Sequence, residues 1–191
     1  SNLAASLVFN SFEDFEPLNV LRQIPQIDAQ FNQRGRLRDF LAKLDGNDDL
    51  LEALEDLLSD PKRRDALNAM LSKAKGAMDE ARSVDDAAER AEAVVAAITE
   101  KDRAAGTDLG DLLQKGMMIL EESQVPYAIE LMEEFMTQFV ASGDISAKDR
   151  DSLPIIAALV SQRIAKVDGA VSRQLNYVLH HEDFQALEAS W

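Results

Sequence analysis

From Pro17 onward, apolar residues recur at spacings of three and four, the period of an amphipathic helix. Leu18, Leu21 and Ile24 share a face up to Pro25, which ends or kinks that segment. Ile27, Phe31, Leu37, Leu41 and Leu44 make a stripe on a second helix, stopped by Asp45-Gly46-Asn47. Leu50, Leu51, Leu54, Leu57 and Leu58 mark a third, closed by Asp60-Pro61, and a fourth runs from Lys62 to about Arg82 with Leu67, Met70, Leu71 and Met78. A period of two appears once. Leu7 and Phe9 flank Val8, which predicts a short strand or extended segment over Ser6–Asn10, yet nothing else in the chain supplies a sheet for it.

Residues 73–106 change character: they are rich in Ala and charged residues and hold no aromatic side chain. Ser83 with Asp86 suggests a helix cap, and Ala87, Ala91, Val94 and Ile98 form a thin stripe, so this stretch reads as a weakly held helical connector closed by Ala105-Gly106-Thr107. Leu109, Leu112, Leu113, Met117 and Leu120 open the second half on one helix face. Pro126 starts another helix with Ile129, Met132, Phe135, Met136 and Phe139 inward, ending at Ser142-Gly143, and Ser146 with Asp149 repeats the cap pattern. The longest helix runs from Pro154 to about His180, with Ile156, Val160, Ile164, Val167, Val171, Leu175 and Val178 in a bundle-like stripe. Phe184, Leu187 and Trp191 begin a last stripe on which the chain stops, an ending that suggests truncation. The expected fold is mainly α: an antiparallel helical bundle of about six to eight helices with at most one short N-terminal strand, and one lobe from each half of the chain.

Composition narrows the function. No apolar run approaches the length that spans a bilayer, and the amino terminus lacks the features of a signal peptide, so a soluble cytoplasmic protein is expected. The absence of cysteine removes disulfides, thiolate nucleophiles and cysteine metal sites together. A net charge of −15 argues against nucleic-acid and anionic-membrane partners and for solubility or the steering of basic partners.

Candidate chemistry is sparse. His180 and His181 are adjacent, about 100° apart on a helix, and cannot grip one metal as a pair spaced by four can; helix-end polar residues are the expected role. Asp45, Asn47 and Asp49 resemble the start of a calcium loop, but Leu50 and Asp56 stand where its Gly and Glu belong, which favours a helix stop followed by a cap. Arg34, Arg36 and Arg38 form the densest basic patch, diluted by Asp28 and Asp39, and suit a solvated face or an ion-pair site between subunits. Met117, Met118, Met132 and Met136 at helical spacing are expected in the core rather than in an adaptable groove. No nucleophile triad or glycine-rich phosphate loop is present, so no enzyme activity, metal or cofactor is expected.

Two stretches carry a resemblance. Phe9, Asp14-Phe15, Pro17, Val20 and Gln23-Ile24-Pro25, followed by Arg36-Leu37 and Asp45-Gly46-Asn47-Asp48, resemble the carboxy-terminal part of the small type VI secretion sheath subunit, the TssB (VipA-like) family. Its turn of the form DF-x-P leads out of a last strand into helices, which would account for the orphan segment at Ser6–Asn10. Gln174-Leu175-Asn176, Leu179-His180-His181, Phe184-Gln185 and Leu187-Glu188-Ala189-Ser190-Trp191 fill 13 positions within an 18-residue span, a signature similar to that near the amino terminus of the large subunit, the TssC (VipB-like) family. Members often carry Pro after the paired histidines, where Glu182 stands here, and they continue past this Trp.

The resemblance divides the chain into a TssB-like segment at 1–72, a connector at 73–106 and a TssC-like segment at 107–191. It implies a structural role in the outer helical layer of a contractile sheath, with sheath subunits as partners. It also implies recycling by a ClpV-type AAA+ unfoldase that grips an amino-terminal helix of the large subunit. By position that helix is Asp108–Glu122, whose face of Leu109, Leu112, Leu113, Met117 and Leu120 fits either a partner's groove or simple core packing. The alternative to this reading is a generic helical adaptor with no sheath role.

Overall fold

A computed structural model describes residues 6–83, 86, 88, 89, 91–93, 96, 122–140 and 153–191. Among them the regular elements are all helical: α1 (Pro17–Gln23), α2 (Pro25–Leu44), α3 (Asp48–Ser59), α4 (Pro61–Glu80), α5 (Val125–Phe135), α6 (Leu153–Leu179) and α7 (Glu182–Ser190). Short 3-10 turns occupy Phe12–Phe15, Ala81–Ser83 and Glu122–Gln124, and a π-helical turn at Met136–Val140 continues α5. The protein is mainly α.

Local chemistry sets the boundaries. Pro17 and Pro61 sit in the first turns of α1 and α4, where a missing N–H costs nothing. Ile24 is extended, φ −106° and ψ 99°, as a residue before proline prefers, so Pro25 ends α1 and opens α2 in one step. Gly46 adopts φ 67° after α2, and the Asn47 side chain then accepts the Leu50 N–H at 3.1 Å to cap α3. The calcium-like acids are thus a stop and a cap. After α4 the cap falls on Asp86 alone, whose carboxylate accepts the N–H groups of Ala88 and Glu89 at 2.7 and 3.3 Å. Ser83 instead reaches back to the Glu80 carbonyl at 3.5 Å.

The chain divides into two compact units that cut across its halves: unit 1 takes Ser1–Gly35 and Ser161–Trp191, and unit 2 takes Arg36–Val160. The expected pairing of one lobe per half gives way to a unit built from both ends.

Unit 2 holds the larger share of the core. Leu37, Phe40, Leu50, Leu54, Leu67 and Ile129 are fully buried, and Phe40 stacks on Phe135 with ring centroids 4.7 Å apart. Met132 and Met136 are core residues, as their spacing predicts. The polar side of α5 is tied down as well. Arg36 donates twice to Glu134, at 3.1 and 3.0 Å, Lys75 pairs with Glu133 at 2.6 Å, and the Tyr127 hydroxyl donates to Asp39. Burial, together with the Asp39 carboxylate, pushes the Tyr127 hydroxyl up to about 12, and the bond to Glu133 raises the Lys75 ammonium. Met117, Met118, the cap at Ser146 and Asp149, and the face from Leu109 to Leu120 lie outside the described residues.

Candidate packing interface between the two ends of the chain

Unit 1 has one apolar core to which both ends contribute. Phe15, Val20, Leu21, Ile24 and Ile27 come from the amino-terminal end, and Val167, Val171 and Phe184 from the carboxy-terminal end. Each such side chain contributes about 1.5–3 kcal/mol on burial. Neither end can close this core by itself, because the Ile24–Ile27 face of α1 and α2 and the Val167–Val171 face of α6 are each other's cover.

The extended amino-terminal segment explains its own alternation. Ser6–Asn10 forms no strand; the Val8 N–H donates to the side-chain oxygen of Gln23 at 2.7 Å, which stands in for a sheet partner. Leu7 and Phe9 pack on the core while Val8 is 59% exposed. Asp14 then ties segment to turn: its carboxylate accepts the N–H groups of Asn10 at 2.6 Å and Ser11 at 2.9 Å. Those two donors hold the Asp14 carboxyl below its ordinary value of 3.8. Phe15, next in line, enters the core, and Pro17 starts α1. The Asp-Phe-x-Pro spacing is therefore a cap, an anchor and a helix start in four consecutive positions. Leu18, expected on the inner face with Leu21 and Ile24, is instead 43% exposed.

Aromatic rings carry the junction. Phe9 stacks on Phe15 with centroids 4.2 Å apart, and Phe184 meets both rings edge-on at 5.7 Å. Trp191 adds a further edge contact to Phe15 at 6.0 Å. Arg34 on α2 forms an ion pair with Asp168 on α6. No local pattern marks that pair, because 134 residues separate its members. Arg34 and Arg36 thus each pair with an acid of their own chain.

The histidines are structural. His180 Nδ1 donates to the Asn176 carbonyl at 2.9 Å as α6 ends, and His181 caps α7 by accepting the Asp183 N–H at 3.3 Å. No group of metal-ligating side chains occurs among the described residues, and none of the described helices is long and apolar enough to cross a membrane.

Residues 1–72 match the family described as type VI secretion system, VipA, VC_A0107 or Hcp2. Residues 161–191 match the family VipB, described as EvpB/VC_A0108, tail sheath N-terminal domain. The chain joins a VipA-like segment to a VipB-like one. No curated protein and no solved structure matches it. Both matched families are structural components of the secretion sheath, so the two matches indicate a sheath component and imply sheath subunits as partners. Unit 1 is where the two meet, since its VipA-like core residues pack directly on its VipB-like ones.

Proposed function

We propose that this chain forms part of the outer helical layer of a type VI contractile sheath in the bacterial cytoplasm, where a small-subunit segment packs on a large-subunit segment. In this reading residues 1–72 are the small-subunit part, 73–106 the connector and 107–191 the large-subunit part. A ClpV-type AAA+ unfoldase docks on Leu109, Leu112, Leu113, Met117 and Leu120 to recycle the sheath. The observation that carries the reading is the single core of unit 1, shared by Phe15, Leu21 and Ile24 of one segment and Val167, Val171 and Phe184 of the other. The connector then acts as a tether that raises the effective concentration of one segment at the other.

The distribution of charge supports the same reading. Unit 1 holds five basic and eight acidic residues, a net of −3, so −12 of the chain's −15 falls in unit 2. Among the described residues, six of the seven exposed large apolar side chains (Val8, Phe12, Leu18, Tyr177, Leu187 and Trp191) belong to unit 1. Low charge with exposed aromatic rings suits unit 1 to packing against sheath subunits.

The test is a calorimetric titration with the amino-terminal domain of a cognate ClpV-type unfoldase. Binding by the full chain, lost on deletion of residues 108–122 or in Leu113→Asp while helicity by circular dichroism is kept, is the expected result. Absence of binding by the intact chain removes the unfoldase from the proposal. Failure to associate with intact sheath subunits in a pull-down would return the chain to the class of generic helical adaptors.

A further inference from the structure

Two sets of side chains singled out in the sequence are left over once the ion pairs are assigned. Arg34 and Arg36 engage acids, whereas Arg38 is exposed and makes no ion pair among the described residues. Asp45 and Asp48 are likewise exposed and without an ion pair among the described residues. All three border one groove of about 710 Å³ in unit 2, with an apolar lining of Leu41, Leu44 and Leu51. The groove runs along the last turns of α2 and onto α3, with Asp45 just past the carboxy end of α2 and Asp48 in the first turn of α3. Arg38 precedes Asp45 by seven residues, roughly 10 Å of helix.

An apolar strip with a cation at one end and two carboxylates at the other specifies its occupant. A nucleic acid meets the wrong sign of charge, and a second copy of this chain brings a second unit of −12. A helix matches on every count. Its own i, i+3, i+4, i+7 stripe covers the leucines, and its residues seven apart are also roughly 10 Å apart. We propose that this groove takes an amphipathic helix of a partner protein, with a leucine-type stripe on Leu41, Leu44 and Leu51. A Lys or Arg of that helix lies over Asp45 and Asp48, and a Glu or Asp two turns away lies over Arg38. The proposal does not depend on the unfoldase reading, which uses other residues.

The probe is a fluorescein-labelled helical peptide of about 18 residues, with Leu at those four spacings and Lys and Glu seven residues apart on the flank of the stripe. Fluorescence anisotropy with the full chain is expected to show saturable binding that weakens with added salt. Leu41→Gln should weaken it about tenfold, as loss of a central apolar contact does, and the exposed pair Asp45→Asn/Asp48→Asn should weaken it about threefold and flatten the salt dependence. Circular dichroism of each variant guards against loss of fold, and the double Asn variant touches no buried group. No saturation with the wild-type chain overturns the proposal. So does binding that neither variant changes, since the peptide then sits elsewhere.

Discussion

The ring of Phe184 meets Phe15 edge-on, with centroids 5.7 Å apart and planes at 68°. One ring belongs to the VipB-like segment and the other to the VipA-like segment, so this contact measures the junction directly. Phe184→Ala and Phe15→Ala are each expected to cost about 3–5 kcal/mol in chemical denaturation, the ordinary loss for a buried Phe. The double variant should cost less than the sum by about 0.5–1.5 kcal/mol, the aromatic pair term. Strict additivity would show that the two segments do not support each other through these rings.

Asp14 gives the junction a pH dependence with a definite sign. Its carboxyl is depressed below 3.8 by the N–H groups of Asn10 and Ser11, so the charged form is favoured in the folded chain. The stabilisation is fully present above the ordinary value and is lost as pH falls through the lower folded value. Asp14→Asn should therefore melt below the wild type at neutral pH, and the gap should close in acid. Thermal melts at pH 7 and below pH 3.8 check this; a gap that widens in acid would contradict the cap.

The helices and their ends were legible because they rest on local chemistry. Pro17, Pro25 and Pro61, the Asp45-Gly46-Asn47 stop and the stripe of α6 each act within a turn or two of themselves. What a period cannot reveal is which stripe covers which. The pairing of α1 and α2 with Val167 and Val171 joins residues well over a hundred positions apart, and Arg34–Asp168 and Tyr127–Asp39 are likewise distant matches. Leu18 was misplaced for a related reason. A helix of seven residues bounded by two prolines offers too few turns to define an inner face, and the structure sets Val20 and Leu21, two and three positions after Leu18, against the core. The family motifs supplied what periodicity lacked, since each marks an end of the chain that needs the other.

The Arg34–Asp168 pair joins the segments at a half-exposed site, with side chains 27% and 42% accessible. Such a pair is worth about 0.2–1 kcal/mol, well below the aromatic contacts. A double-mutant cycle with Arg34→Ala and Asp168→Ala should return a coupling in that range at low salt and nearly none at about 1 M salt, where the screening length is roughly 3 Å. A coupling of several kcal/mol would mean that the charges, not the rings, hold unit 1 together.

Glu182 tests whether the departure from the histidine–histidine–proline pattern is structural or incidental. It is the first residue of α7, where the N–H has no intrahelical acceptor and proline is favoured. His181 before it lies at φ −68° and ψ 137°, a conformation a following proline accepts. Proline would gain about 0.4–1 kcal/mol from a stiffer unfolded chain and lose about 0.3–1 kcal/mol of charge–dipole attraction from the glutamate. Glu182→Pro should therefore leave stability within about 0.5 kcal/mol of the wild type. Gln185→Pro, three residues on, removes the N–H that donates to the His181 carbonyl at 3.1 Å and should cost about 3 kcal/mol or more. Equal damage from both prolines would mean that α7 does not begin at Glu182, and the capping role of His181 would fall with it.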